Sequence, residues 1–177
     1  MKRILVLPGW MTSIDFFNPQ NGLILQFGKI TVPVTEEDTV IGIRLGALIG
    51  LRESAKIPGK IILVNPPLPK RSIFIWLGRL IKMILQETPF NNRQRFTKNP
   101  FRLAVEVIHC IKLLSTDFGA TLASLPKERL TAIRGREDKF FADNIAVSYL
   151  HEKGVNLIEV DGGHNWSKSI ESCVLGK

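Results

Sequence analysis

Short, continuously apolar runs alternate along this chain with longer stretches of helical spacing. The runs are Arg3–Leu7, Thr39–Ile43, Lys60–Val64, Leu130–Arg134 and Val155–Val160, each bounded by Pro, Gly, Asn or Asp. Runs of this length and composition predict strands buried on both faces, as in a parallel sheet. Lys29–Val34 also has strand composition, but Pro33 places it at an edge or a strand end. Asp15–Phe27, broken by Asn18-Pro19 and Asn21-Gly22, reads as a loop or a short helix. Helices are expected over Leu45–Ser54, Ser72–Gln86, Phe101–Leu114, Phe140–Glu152 (ended by Gly154) and Ser167–Val174.

Strands alternating with helices predict an α/β fold, a three-layer sandwich around a mostly parallel sheet. One connection fits badly. Parallel neighbours need a connection of about a dozen residues, and Val34 to Thr39 is too short. Either Lys29–Val34 is not a regular strand, or the sheet lacks a crossover helix. In the second case a homodimer partner or the basic helical segment would cover the exposed face.

Composition narrows the class. At 177 residues and 45% hydrophobic, the chain can bury one core, and a single domain over 1–177 is the default. The two cysteines, Cys110 and Cys173, are too few for a disulfide framework and favour a reducing, cytoplasmic setting. The apolar N-terminal run stops at Pro8-Gly9, far short of a signal-peptide core, and no run reaches the ~20 residues of a membrane span. The formal net charge is +8, and it is concentrated. Residues 70–112 hold nine Lys and Arg against two Glu, a local excess of +7. Such a segment can be a solvated face or can meet an anionic membrane or ligand. No nucleic-acid partner is expected, because RNA-binding aromatics, zinc-finger spacing and a helix-turn-helix pattern are all missing. No metal-ligand spacing and no dinucleotide-binding glycine pattern occur, so no cofactor is expected.

The candidate chemistry sits where strands end. In Gly42-Ile43-Arg44-Leu45-Gly46, two glycines flank one charged residue at a strand-to-helix turn. This is the pattern of a nucleophile elbow, whose apex is normally Ser. Pro8-Gly9-Trp10, Gly135-Arg136-Glu137-Asp138 and Gly162-Gly163-His164 lie at other strand ends. Asp138 could cap the following helix, and Glu137 is its rival as a functional carboxylate. His164 could be a loop histidine capping the last helix. His109 reads as a packing residue, and His151 as a helix-end residue at the negative pole of the dipole.

In this order, the loops make the chain resemble the small serine hydrolase and esterase branch of the α/β-hydrolase superfamily. The resemblance runs over nearly the whole chain and includes a helical cap insertion at about 67–125. It implies a reduced α/β-hydrolase fold acting on ester or acyl substrates. It makes His164 the base and Asp138 the acid that orients it, and it gives the oxyanion hole to backbone N–H groups of Leu45 and of Trp10 or Met11. Two departures matter. Arg44 stands at the nucleophile's position, and Pro8 stands where many members have the His of a His-Gly pair.

Three readings follow. The first is an inactive relative, a pseudoenzyme that binds an acyl, ester or anionic small molecule, with Arg44 holding a carboxylate or phosphate or pairing with Asp138. The second is an enzyme whose His164–Asp138 dyad activates water or abstracts a proton, as a hydrolase or lyase without a Ser nucleophile. The third is an esterase with its nucleophile elsewhere, Ser13 or Thr12 being nearest. The apolar segment Ser72–Gln86 would close a pocket or, with Arg79 and Lys82, touch an anionic membrane surface.

Overall fold

The computed structural model describes residues 3–10, 22–25, 27–87 and 100–176. Six strands pair in one all-parallel sheet: β1 (Ile4–Leu7), β2 (Gly22–Ile24), β3 (Thr39–Ile43), β4 (Lys60–Val64), β5 (Leu130–Gly135) and β6 (Asn156–Val160). Their order is β2-β1-β3-β4-β5-β6. The helices are α1 (Leu45–Arg52), α2 (Ile73–Glu87), α3 (Pro100–Ser115), α4 (Gly119–Ser124), α5 (Asn144–Glu152) and α6 (Lys168–Leu175).

Alternation along the strands builds two apolar layers, because successive strand side chains point to opposite faces. Leu5, Leu7, Val40, Leu63 and Ala132 face one side and pack with residues of α1, α3, α4 and α5. Val6, Ile41, Ile43, Val64 and Ile133 face the other and pack with Ile170 of α6. β3 is buried at every position, which explains why its sequence is a continuous apolar run. No helix among the described residues is long and apolar enough to cross a membrane.

The badly fitting connection has a simple resolution. Lys29–Val34 is not a strand. The strand is β2, inside the stretch expected to be a loop or short helix, and its signal was weak because it is three residues long and exposed throughout. The β2-to-β3 connection therefore spans residues 25–38 and crosses β1, long enough for a parallel crossover. It carries no regular secondary structure among its described residues. Phe27, Ile30, Val32 and Val34 lie on the core where a crossover helix would otherwise sit. The connection ends at fully buried Asp38, which accepts from Arg3 Nε (3.0 Å), Arg3 Nη2 (2.6 Å) and the Thr35 amide (2.8 Å). The Arg3 hydrogen bond, opposed by burial, holds the Asp38 carboxyl well below the usual carboxylate range.

A second boundary differs. The helix expected from Phe140 begins at Asn144, where Asp143 caps it by accepting from the Ala146 amide at 3.1 Å. Phe140, Phe141 and Ala142 are instead buried in the turn that leads into it. Helices α2, α3 and α4 form an insertion between β4 and β5, of which α4 had no distinct sequence signal.

Candidate functional site

Arg44, Asp138, His164, Leu45 and Trp10 lie where strands of the parallel sheet end, the edge at which such sheets place their sites. Arg44 stands between β3 and α1 with φ 55° and ψ −117°. A non-glycine residue with positive φ costs on the order of 1–3 kcal/mol and persists only where its surroundings enforce it. Here they do. A Cβ on Gly42 would meet the Ala47 Cα at 2.5 Å, and one on Gly46 would meet the Leu7 carbonyl oxygen at 2.0 Å. Neither glycine can be larger without moving backbone, so α1 starts pressed against the end of β1. The Arg44 amide donates to the Val64 carbonyl at 2.8 Å, and its carbonyl accepts from Ala47 at 2.9 Å. The geometry is a sharp, strained strand-to-helix turn with arginine at its apex.

The Arg44 side chain is pinned rather than extended. Its Nη2 donates to Asn165 Oδ1 at 2.6 Å and to the His164 carbonyl at 3.2 Å. A guanidinium stays charged at every physiological pH, so it can neither attack a carbonyl nor supply a proton. Of the two roles open to Arg44 in the sequence, pairing with Asp138 is not seen among the described contacts. The Asp138 carboxylate is engaged by the His164 ring and by the backbone of the turn after it.

His164 and Asp138 come together in the interior. His164 Nδ1 lies 3.1 Å from Asp138 Oδ2, with the residues 2% and 1% exposed. Asp138 also accepts from the amides of Phe140 (2.9 Å), Phe141 (3.2 Å) and Ala142 (3.3 Å). Of the two sequence readings of Asp138, the helix cap falls instead to Asp143, while the Asp138 carboxylate accepts from the amides of the turn and lies against the imidazole. Its rival Glu137 is exposed. Burial pushes the Asp138 carboxyl up, but His164 and the amides outweigh it and leave it below its ordinary value. Burial also dominates at His164, where it favours the neutral ring. Asp138 opposes this, the Arg44 charge reinforces it, and the net shift is downward. A neutral ring donating from Nδ1 leaves its lone pair on Nε2, which is buried and has no hydrogen-bond partner. His164 does not cap the last helix. Ser167 does, accepting from the Ile170 amide at 3.3 Å.

Asn65, at the end of β4, fastens the two loops together. Its Oδ1 accepts from the Gly135 amide at 2.9 Å, and its Nδ2 donates to the His164 carbonyl at 3.0 Å and to Gly163 at 3.3 Å. The sequence marked Asn65 only as a strand end. Its positive φ of 47° and full burial show a residue chosen for these bonds.

An aromatic layer covers the dyad. The Phe141 ring lies 4.8 Å from the His164 ring, and Phe140 meets it edge-on at 5.9 Å. Trp76 of α2, 1% exposed, stacks on Phe141 at 5.6 Å and 17°. Arg71 and Arg79 sit over the Trp76 ring at 5.3 and 5.7 Å. Both arginines also bind Asp143, with Arg71 Nη2 at 2.5 Å and Arg79 Nη2 at 2.8 Å. Burial disfavours the Asp143 charge, but the two guanidinium groups win and hold its carboxyl far below the usual range. Sequence reasoning missed this layer because its members lie some 60 residues apart along the chain.

Of the proposed oxyanion-hole residues, Leu45 is the first residue of α1, and Trp10 lies in the turn after β1. The Gly46 contact with Leu7 and Pro8 brings these two segments together. The Trp10 indole donates to Glu106 of α3 at 3.1 Å. Met11, and the alternative nucleophiles Thr12 and Ser13, lie outside the described residues. His109 is half-buried against Phe27 and Arg52, away from the dyad, and His151 is exposed in the last turn of α5. Among the described residues, no group of three His, Cys, Asp or Glu side chains could hold a metal ion.

No protein-family model and no curated protein matches the chain by sequence. Its fold does match solved structures. An α/β hydrolase, MGS-M2, from a Medee basin deep-sea metagenome library superposes with a TM-score of 0.61 at 18% identity, over 99% of this chain and 88% of its own. The RedJ thioesterase of the prodiginine pathway of Streptomyces coelicolor gives 0.57 at 12%, over 99% and 84%. Human thioesterase 2 gives 0.51 at 12%, over 99% and 93%. At these identities the likeness speaks for architecture alone, and it agrees with the parallel sheet flanked by helices. The chain has the α/β-hydrolase fold.

Proposed function

We propose that this protein is an α/β-hydrolase-fold ligand-binding protein whose ester hydrolysis is weak or lost, and whose site takes a small acyl, ester or carboxylate-bearing molecule. The observation that carries this reading is Arg44 at the elbow apex, in the strained conformation and tied to Asn165, beside an assembled His164–Asp138 pair. The substrate class rests on structural neighbours described as thioesterases and esterases. Arg44, at the N-terminus of α1, adds a fixed positive charge where helix amides already favour an anion. Loss of the nucleophile in such a site typically leaves only the ~10³–10⁴-fold acceleration supplied by binding and the oxyanion hole. The insertion α2–α4 acts as the cap, with Trp76 as its contact to the aromatic layer.

A second reading has its own observation. The unpartnered, buried Nε2 of His164 is a poised base, and it could take a proton from water or substrate without a Ser nucleophile.

The deciding experiment is fluorophosphonate labelling and ester turnover of the protein and of Arg44→Ser. The first reading expects no labelling of the unmodified protein and clear labelling of Arg44→Ser. Labelling of the unmodified protein overturns both readings in favour of a nucleophile elsewhere. Failure of both proteins to label means that the dyad and oxyanion donors do not act on the elbow. Turnover by the unmodified protein that labels nothing and vanishes in His164→Ala selects the second.

A further inference from the structure

Helix α2 carries apolar residues on its outer face as well as on its inner one. Trp76 is buried, and Ile73 and Arg79 are half-buried, toward the body of the protein. Phe74, Ile75, Leu77 and Ile81 face solvent, Phe74 with 79% of its surface exposed. Isolated exposed apolar side chains are ordinary, but several on one short helix make a patch of the kind that marks an interaction surface. Helix α3 packs beside α2 and exposes Val105, Ile108 and Ile111 in the same manner.

Among the described residues, the exposed charges beside these side chains have one sign. Lys70, just before α2, Lys82 within it and Lys112 of α3 are exposed. The acid of α3, Glu106, is half-buried and receives the Trp10 indole. The stretch 70–112 as a whole has nine basic and two acidic residues, a difference of +7.

We infer that the outer face of α2, continued by α3, docks on an anionic phospholipid bilayer. Phe74, Leu77 and Ile81 enter the boundary between headgroups and acyl chains, and the lysines meet lipid phosphates and carboxylates. Apolar burial and cationic attraction together are what hold an interfacial helix in place. At 15 residues, α2 is about 22 Å long, short of the ~30 Å hydrocarbon core, so it lies on the membrane and does not span it. A second copy of this chain fits the patch less well. An isologous contact sets each surface against itself and would bring the same cations face to face. This docking is independent of whether the Arg44 site turns over esters.

The test is co-sedimentation of the full chain with vesicles of phosphatidylcholine alone and of phosphatidylcholine mixed with phosphatidylserine. Binding is expected to the mixed vesicles, to weaken as salt is raised, and to be far weaker on the neutral ones. Phe74→Ser with Leu77→Ser should reduce it by at least about tenfold, from the apolar burial removed. Lys82→Ala should reduce it by about fivefold and keeps a strong helix former, so its effect cannot come from a lost helix. Circular dichroism of each variant reports the fold separately. No sedimentation with either vesicle, or binding that ignores both salt and the substitutions, overturns the inference. So does a dimer in sedimentation velocity that Phe74→Ser with Leu77→Ser dissociates, which would give the patch to a second copy.

Discussion

Gly46→Ala tests the elbow directly. An added Cβ would lie 2.0 Å from the Leu7 carbonyl oxygen, 2.7 Å from its carbon and 2.7 Å from the Pro8 oxygen. All three are backbone atoms, so no side chain can rotate away. Relief requires α1 to retreat from the end of β1. That helix buries Ala47, Leu48, Ile49 and Leu51 in the core, so retreat either opens voids or strains the sheet. Overpacking of this kind costs about 1–3 kcal/mol and sometimes more, and a backbone-to-backbone overlap belongs at the upper end. Alanine regains about 1 kcal/mol of helix propensity. The net loss should be about 2 kcal/mol or more, a large share of a typical stability of about 5–15 kcal/mol. Urea unfolding followed by circular dichroism should show the midpoint falling by about 1–2 M at an ordinary m-value. Gly78→Ala, on the exposed face of α2 with nothing within 4 Å, is the control and should gain about 0.5–1 kcal/mol. Equal midpoints for Gly46→Ala and the unmodified protein would refute the close approach of α1 to β1, and with it the argument that the elbow is enforced by packing.

Two further outcomes follow from the dyad and its fastening. Folded His164 is held below its ordinary value of 6.5, so the unfolded chain takes up that proton first as pH falls, and acid favours unfolding. Folded Asp138 is also lowered, so its contribution is present above the ordinary carboxylate range and lost as pH falls below about 4. The melting temperature should therefore decline from neutral pH toward about pH 5, and His164→Gln should flatten that part of the curve. Asn65→Ala strands the Gly135 amide, leaves the His164 carbonyl with Arg44 in place of two donors, and leaves a Cβ at positive φ, a loss of about 2–4 kcal/mol by urea unfolding. Asn65→Gly should recover about 1 kcal/mol of it by removing the backbone strain alone, and an identical loss for the two would place the whole effect in the hydrogen bonds.

The arginine at the apex also bears on why the fold is kept. The conformation at φ 55° is held by Gly42, Gly46 and the hydrogen bond from the Arg44 amide to the Val64 carbonyl, none of which depends on the side chain at position 44. A change there alters chemistry while leaving the architecture in place. The dyad is likewise held by groups other than the elbow residue: Asp138 by three amides, and the His loop by Asn65.

Period and punctuation alone determined much of this protein. Apolar runs marked five of the six strands. In β1, β3, β4 and β5 this is because a strand covered on both faces must be largely apolar, whereas β6, expected to be buried, is an edge strand with Asn156, Ile158 and Glu159 exposed. The two glycines around Arg44, and Asp138 and His164 after later strands, were legible because tight turns demand particular residues at particular spacings. What the chain order could not show was anything depending on neighbours distant in sequence. The exposed strand β2 has no buried face to write an apolar run, and Lys29–Val34 looks like a strand because it lays its side chains on the core without joining the sheet. The choice of Asp138 over Glu137 was made by which carboxylate is buried against His164. The bridging of two loops by Asn65, and the placing of Trp76 and Phe141 over the imidazole, belong to tertiary structure alone. Those contacts join segments separated by dozens of residues, and only packing brings them within hydrogen-bonding and stacking distance.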